Sequence, residues 1–149
     1  MHVMATLNTD RRRGERGQAI VELALTLPLL MLVVLGVFDF GLMFERFEVV
    51  TNAAREGARV AVLPLYTTDQ AKAHAQNYLT SGGVTGATVT VAQATTTLPT
   101  TLAKNVEVMV VTVTYTHQHV FVGPIISLFG GSLGSTPLVA VSKMRKEGS

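Results

Sequence analysis

The chain has 149 residues, of which 48% are hydrophobic and 15% are charged, and it contains no cysteine. This length suits one small domain with an apolar anchor, and the lack of cysteine excludes disulfides, thiolate metal sites and cysteine nucleophiles. The net charge of +2 belongs to residues 1–17, because the other residues carry eight basic and eight acidic side chains. The composition therefore gives no support to nucleic-acid binding.

A basic leader precedes a long apolar segment near the N-terminus. The apolar segment ends at Phe38, and residues 18–38 are long enough to cross the hydrocarbon core of a bilayer as one α-helix. Because basic residues stay on the cytoplasmic side, we predict a single-pass protein of the cytoplasmic membrane with its C-terminal head outside. The residues that set this orientation are Arg11, Arg12, Arg13 and Arg16.

Two other interpretations of the apolar segment are weaker. A cleavable secretory signal would have a shorter apolar region and a small-x-small cleavage site, whereas this segment ends in Val37-Phe38-Asp39-Phe40. A buried core helix would need a larger domain around it, because the segment is apolar on every side.

Glu22 is the only charged residue between Gly17 and Phe38. A carboxylate in lipid costs about 2.5 to 3.5 kcal/mol at the centre of a span and less near its ends, and such residues are by default functional. Cleavage after Gly17 would make Gln18 the first residue and place its new amine about one helical turn from Glu22. In a bundle of such helices, the carboxylate of one could neutralise the amine of a neighbour.

These residues resemble the processing site of type IV pilins and pseudopilins, which a membrane-embedded prepilin peptidase cleaves on the cytoplasmic side. A longer series, over residues 13 to about 62, resembles the TadE-like minor pseudopilins of the tight-adherence (Tad/Flp) type IV pilus system. Type IV pilins usually begin with Phe, and Gln18 at this position favours the Tad branch. The series consists of Arg16-Gly17-Gln18-Ala19-Ile20-Val21-Glu22-Leu23-Ala24-Leu25, Leu27-Pro28-Leu29-Leu30, Phe38-Asp39-Phe40-Gly41 and Asn52-Ala53-Ala54-Arg55-Glu56-Gly57-Ala58-Arg59.

The resemblance implies a structural pseudopilin that is involved in assembling a Tad-type pilus or secretion apparatus after removal of residues 1–17. The implied partners are a prepilin peptidase, other pilin-like subunits, inner-membrane pilus assembly proteins and the lipid bilayer. The alternative is an unprocessed single-pass anchor that carries a small extracytoplasmic binding domain. In that case the spacing between Gly17 and Glu22 is a coincidence.

Beyond the span, residues 39–63 predict an amphipathic continuation of the same helix, which Pro64 ends. Asp39 begins this part at the outer membrane boundary, where we expect a solvated carboxylate. An apolar stripe along it consists of Met43, Phe47, Val50, Ala54, Gly57 and Ala61. Small side chains allow close packing, and we expect the protein's own head, in preference to another subunit, to contact Ala54, Gly57, Ala58 and Ala61.

Residues 64–149 predict a small α+β head. Asp69 is the predicted N-cap of a second helix, which reaches Leu79 and stops at Ser81-Gly82-Gly83. Alternating Val and Thr residues then predict three strands. These strands lie at residues 88–92, 106–116 and 138–145, with a hairpin loop at 95–101. The predicted fold class is α+β and pilin-like, with one long N-terminal helix packed on a small antiparallel sheet.

Two features of the head are assigned from the apolar pattern. We expect the helix to pack on four valines of the first two strands, Val89, Val91, Val108 and Val110. The apolar segment 123–137 predicts either a short helix tucked over the sheet or an exposed patch for a partner.

Residues with obvious chemistry are scarce. His117 and His119 would share one face of an extended strand, but no third ligand is suggested nearby, so we predict no metal site. Ser81-Gly82-Gly83 and Gly130-Gly131-Ser132 lack the lysine and the setting of a phosphate loop. We therefore expect no enzyme activity and no cofactor.

Overall fold

The computed structural model describes residues 4–97, 105–128 and 130–146, with side chains from Gly17 onward. Three helices and three strands make an α+β arrangement, as predicted. In chain order they are α1 (Met4–Ala61), α2 (Thr68–Ser81), β1 (Thr88–Thr97), β2 (Asn105–His117), α3 (Val122–Leu128) and β3 (Thr136–Arg145).

α1 is one helix of 58 residues that continues past Phe38 without interruption. Its division into leader, span and outer part at residues 17 and 38 stays a prediction. Pro28 lies inside the helix and has no N–H to donate. The Thr26 hydroxyl donates to the Glu22 carbonyl at 2.9 Å and the Leu23 carbonyl at 3.3 Å. The only hydroxyl between residues 18 and 38 is therefore satisfied within the helix.

Most of the apolar part of α1 is not covered by the head. Its most apolar window has a mean hydropathy of 2.5 and is 0% buried within the protein. A core helix of a soluble domain would be covered, so this exposure argues against that interpretation. By length and composition, this is the one helix in the described part of the chain that could cross a membrane.

α2 packs beside the outer half of α1, and Thr67 sets where it begins. The Thr67 hydroxyl accepts from the Gln70 backbone N–H at 3.3 Å, and the Gln70 side chain accepts from the Thr67 backbone N–H at 2.9 Å. This reciprocal pair is a capping box. The prediction of Asp69 as N-cap was wrong, because Asp69 lies in the first turn. The helix does stop at Gly82 and Gly83, where Gly83 has a φ of 72°.

The strands form one antiparallel sheet in the order β1-β2-β3. Val113 pairs with Val89 on one side and with Ala140 on the other, so these three residues share a face. β1 is longer than predicted, because Thr95–Thr97 pair with residues 105–107 instead of forming a loop. The rest of the predicted loop lies outside the described residues.

The core consists mainly of small side chains from α1, α2 and the inner face of the sheet. Small residues let the backbones of helix and sheet approach closely. The cluster includes Ala53, Ala54, Ala58, Ala71, Ala75, Leu79, Val89, Val111, Val113 and Ala140.

The inner face of β2 is opposite to the predicted one. Val111 and Val113 are fully buried in the core cluster, so Val108 and Val110 point to the other face of the sheet. Val89 and Val91 do face the core. The prediction for β2 was wrong by one residue because β2 carries apolar side chains on both faces, and the pattern then specifies no unique register.

The predicted packing residues of α1 lie at this contact. Ala54, Ala58 and Ala61 are buried. A Cβ built on Gly57 would lie 3.0 Å from the Ala75 Cβ and 3.2 Å from the Val111 Cγ1. Of the predicted stripe, Phe47 is exposed, so the stripe reaches the core only from residue 50 onward.

Replacing Gly57 by Leu is expected to destabilise the head by about 1 to 3 kcal/mol, because a contact already tight for a Cβ becomes overpacked. Gly41→Leu is the matched control, since a Cβ there would meet no atom within 4 Å and both changes raise helix propensity. Urea unfolding of the full chain in detergent, followed by hydrogen exchange of the β2 amides, measures the difference. Equal stability of the two variants would contradict this contact.

Candidate functional site

The predicted processing and assembly residues lie on the exposed N-terminal part of α1. Gly17, Gln18 and Glu22 are all exposed, and they line a shallow depression with Val21 and Leu25. Residues four apart lie on the same side of a helix, about 6 Å apart along its axis. The structure therefore brings the Glu22 carboxylate to the same side as Gln18, one turn away.

Gly17 has no close neighbour beyond its own helix in the described part of the chain. A Cβ built there would meet no atom within 4 Å. Glycine in a helix also costs about 1 kcal/mol relative to alanine. The fold thus gives no reason for glycine here, so a requirement for it would come from another molecule. The residues predicted to set the orientation lie N-terminal to Gly17 in α1, where side chains are not described: Arg11, Arg12, Arg13 and Arg16.

Asp39 is a buried carboxylate at the outer end of the predicted span. It is 1% exposed, so the expectation of a solvated carboxylate was wrong. It accepts hydrogen bonds from three consecutive backbone N–H groups, those of Val120 at 3.0 Å, Phe121 at 3.1 and 3.2 Å, and Val122 at 2.8 Å. These groups lie just before and at the start of α3, where a helix leaves N–H groups unpaired. Asp39 therefore caps α3 from 81 to 83 positions earlier in the chain.

The charge of Asp39 is stabilised by this cap. Burial by itself raises the pKa of Asp39, but the hydrogen bonds from Val122, Phe121 and Val120 outweigh burial and hold the pKa below its ordinary value of 3.8. His119 contributes a further lowering. The carboxylate is consequently ionised at neutral pH although it is shielded from water.

Two histidines lie beside this cap at the end of β2. His117 is 1% exposed, and neither of its ring nitrogens has a hydrogen-bond partner among the described residues. Burial lowers the pKa of His117, and His119 and Arg46 lower it further, so the ring is neutral at pH 7. The two imidazole rings pack edge to face with centroids 5.4 Å apart, and His119 Nε2 lies 3.1 Å from the Thr136 hydroxyl.

The described residues do not form a metal-binding group around these two histidines. Over residues 4–97, 105–128 and 130–146, no group of three or more His, Asp or Glu side chains is arranged to hold a metal ion.

A groove of about 600 Å³ adjoins Asp39. One wall is α1 from Leu32 to Met43, which includes the end of the predicted span, and the other is formed by residues that follow β2, including Val122 and Leu133. The lining is apolar except for Asp39, His119 and Thr136. The groove therefore lies where the predicted span meets the head.

α3 lies on the outside of the protein. It has no buried residue, and it contacts α1 but none of the three strands. The short helix was predicted correctly, whereas its expected place over the sheet was wrong. The exposed apolar patch, the second alternative, describes this segment better. Phe129, which belongs to the same apolar segment, lies outside the described residues.

The model of the TadE-like protein family matches residues 17–59. The matched segment begins at Gly17, includes Glu22 and Asp39, and ends in the part of α1 that packs on the head. The resemblance inferred from the sequence is confirmed over these residues, and it indicates a role related to the Tad pilus. The comparisons with curated proteins and with solved structures found no match.

Replacing Asp39 by Asn is expected to loosen residues 120–122 by about 1 to 3 kcal/mol, because one amide oxygen replaces two charged oxygens that serve three donors. Hydrogen exchange of the 120–122 amides in the full chain measures this loss. Glu48→Gln is the matched control, since Glu48 is an exposed carboxylate on the same helix. Unchanged protection in Asp39→Asn would show that the cap does not hold the segment.

The cap also gives the exchange experiment a pH dependence of known sign. Because the pKa of Asp39 is lowered on folding, its stabilisation is complete above the ordinary value of 3.8 and is lost as the pH falls through the lower folded pKa. Protection of the 120–122 amides, corrected for intrinsic exchange rates, should persist at about pH 5 and decrease only below about pH 4. Asp39→Asn should lack this step. A loss between neutral pH and about pH 5 would point to a histidine instead.

Proposed function

We propose that this protein is a pilin-like structural subunit of a Tad-type pilus or secretion apparatus, and that it has no catalytic activity of its own. The observation that carries the proposal is the TadE-like match that begins at Gly17. The match includes the exposed apolar part of α1, and Glu22 is the only charged residue of the matched segment before Asp39. An exposed helix of this kind needs lipid or other helices around it, because water would solvate it poorly.

In this proposal, the N-terminus is cytoplasmic and the head is extracytoplasmic. The four arginines of the leader support that orientation, since short basic segments stay on the cytoplasmic side. The protein resides in the cytoplasmic membrane until it joins the pilus. Its partners are other pilin-like subunits and the inner-membrane assembly proteins.

A prepilin peptidase cuts the chain between Gly17 and Gln18. This bond lies inside α1, so the helix has to open locally before a peptidase can act on the backbone. Glycine favours such opening because it is a poor helix former. The open space around Gly17 also leaves this face of the helix accessible to another protein.

Gly17→Leu is expected to block processing and leave the longer precursor in the membrane. The substituted side chain would meet nothing in the chain's own fold, so a block would report on the peptidase. Gly36→Leu is the matched control on the same helix, where a Cβ likewise has no neighbour within 4 Å. Mass spectrometry of the mature N-terminus, from cells that contain the peptidase, distinguishes the products.

The wild-type N-terminus decides between the two functional classes. A mature chain that begins at Gln18 supports the pseudopilin. A chain that still begins at Met1 in the same cells would overturn processing and favour the unprocessed anchor with a small binding domain.

Assembly is proposed to depend on Glu22. After cleavage, the Gln18 amine and the Glu22 carboxylate are opposite charges on one apolar helix, about one turn apart. A neighbouring helix that is shifted along the axis can bring its own amine level with this carboxylate. The pairing removes two unpaired charges from lipid at once, so the gain appears only when subunits associate.

Glu22→Ala is expected to insert into the membrane but to lower recovery of the complex with other pilin-like subunits by at least about tenfold, as an unpaired charge in lipid is costly. Glu22→Asp should retain part of the association, because it keeps the charge. Glu45→Ala is the control, since Glu45 is an exposed carboxylate outside the predicted span. Co-purification from detergent-solubilised membranes measures recovery. Undiminished recovery of Glu22→Ala would leave assembly to the head.

A further inference from the structure

We infer that residues 120–128 and 130–133 form a second membrane contact, which docks the head on phospholipids of the outer leaflet beside the end of the span. This inference rests on the membrane-spanning part of the proposed function. It does not depend on cleavage at Gly17 or on assembly through Glu22.

The first argument is position. Asp39 directly follows Phe38, the last residue of the predicted span. Its carboxylate holds the backbone N–H groups of Val120, Phe121 and Val122 within 3.2 Å. Residues 120–122, at the start of the proposed contact, are therefore fixed at the level where α1 leaves the hydrocarbon core.

The second argument is the chemistry of the exposed side chains. Val120, Phe121, Leu128 and Leu133 are 55%, 39%, 83% and 42% exposed. The sequence has no Asp, Glu, Lys or Arg between Glu107 and Lys143. Clustered exposed apolar side chains of this kind mark interaction sites, and the lack of charge fits insertion among acyl chains near the headgroups.

The third argument is that backbone polar groups at both ends of α3 are hydrogen-bonded within the protein. Irregular backbone tolerates a low-dielectric environment only when its N–H and C=O groups are bonded within the protein. Asp39 satisfies three N–H groups before and at the start of α3. At its other end, the Ser127 hydroxyl donates to the Pro124 carbonyl at 2.7 Å, and the Gly131 N–H donates to the Ile126 carbonyl at 3.0 Å.

The fourth argument is continuity with the span. Leu32, Val33 and Val37 form the span side of the apolar groove, and Leu133 lies on its head side. The groove is therefore an extension of the helix surface that lipid has to cover. An acyl chain of an outer-leaflet phospholipid would fill it and join the two walls.

The test uses the full chain, into which single cysteines can be placed because it has none. Each variant carries a bimane fluorophore and is reconstituted at low protein density into phosphatidylcholine vesicles, with or without bromines on the upper acyl chain. Leu128→Cys is the test position. Leu65→Cys is the matched control, because Leu65 is also an exposed leucine, at 91%, but lies beyond the far end of the outer half of α1, about 33 Å from Asp39.

Val34→Cys, within the predicted span, reports insertion. We expect brominated lipid to quench the label at residue 128 several-fold more than the label at residue 65. Quenching at residue 34 with none at residue 128 would overturn the inference and leave the span intact. No quenching at residue 34 would overturn the span, and this inference with it. Crosslinked dimers that shield residue 128 from brominated lipid would show that a second copy, rather than lipid, occupies the groove.

Discussion

The bond between the Asp39 carboxylate and the N–H groups of residues 120–122 connects the two halves of this molecule. One side of the bond belongs to α1 at the end of its apolar part, and the other belongs to the segment that joins β2 to β3. A buried carboxylate needs this many donors, because an unpaired charge that is removed from water costs several kcal/mol. Once the donors are in place, the same carboxylate holds residues 120–122 against α1 at the end of the span.

The outer half of α1 is held to the head by a different interaction, which is the close packing of its backbone against α2 and the sheet. Alanines and a glycine cover its inner side, so α2 and the sheet pack almost on the helix backbone. A core of such small residues buries little area per side chain, but it holds the contacts at short range and has little tolerance for added volume. The head is thereby attached along a line from Val50 to Ala61, and the cap at Asp39 fixes the membrane-proximal end of that line.

Glu22 and Asp39 illustrate two ways to manage a charge near lipid. Asp39 is satisfied inside the folded chain and is ready-made in the isolated subunit. Glu22 is exposed on an apolar helix, and its compensation is proposed to come from a neighbouring subunit. The sequence singled out both positions. Hydropathy distinguished them only by location, because Glu22 lies inside the apolar segment and Asp39 lies at its end. The partners of Asp39 are about eighty positions away in the chain, and nothing in their sequence, Val120-Phe121-Val122, marks them as donors, because the bonding groups belong to the backbone.

The sequence by itself determined the long N-terminal helix, its uncovered apolar part, the three strands and the small-residue side of α1, since these follow from local hydrophobic period and side-chain size. It also determined the resemblance that the family match confirms over residues 17–59. Tertiary structure decided which side of β2 faces the core, because valines on both faces leave the register open until strand and helix pack together. The N-cap of α2 at Thr67 is a local feature, because its capping box joins residues three positions apart, and the prediction of Asp69 overlooked it. Tertiary structure also decided the environment of Asp39 and the exposure of α3, because both arise from contacts between residues far apart in the chain, and a pattern read along the sequence carries no information about such contacts.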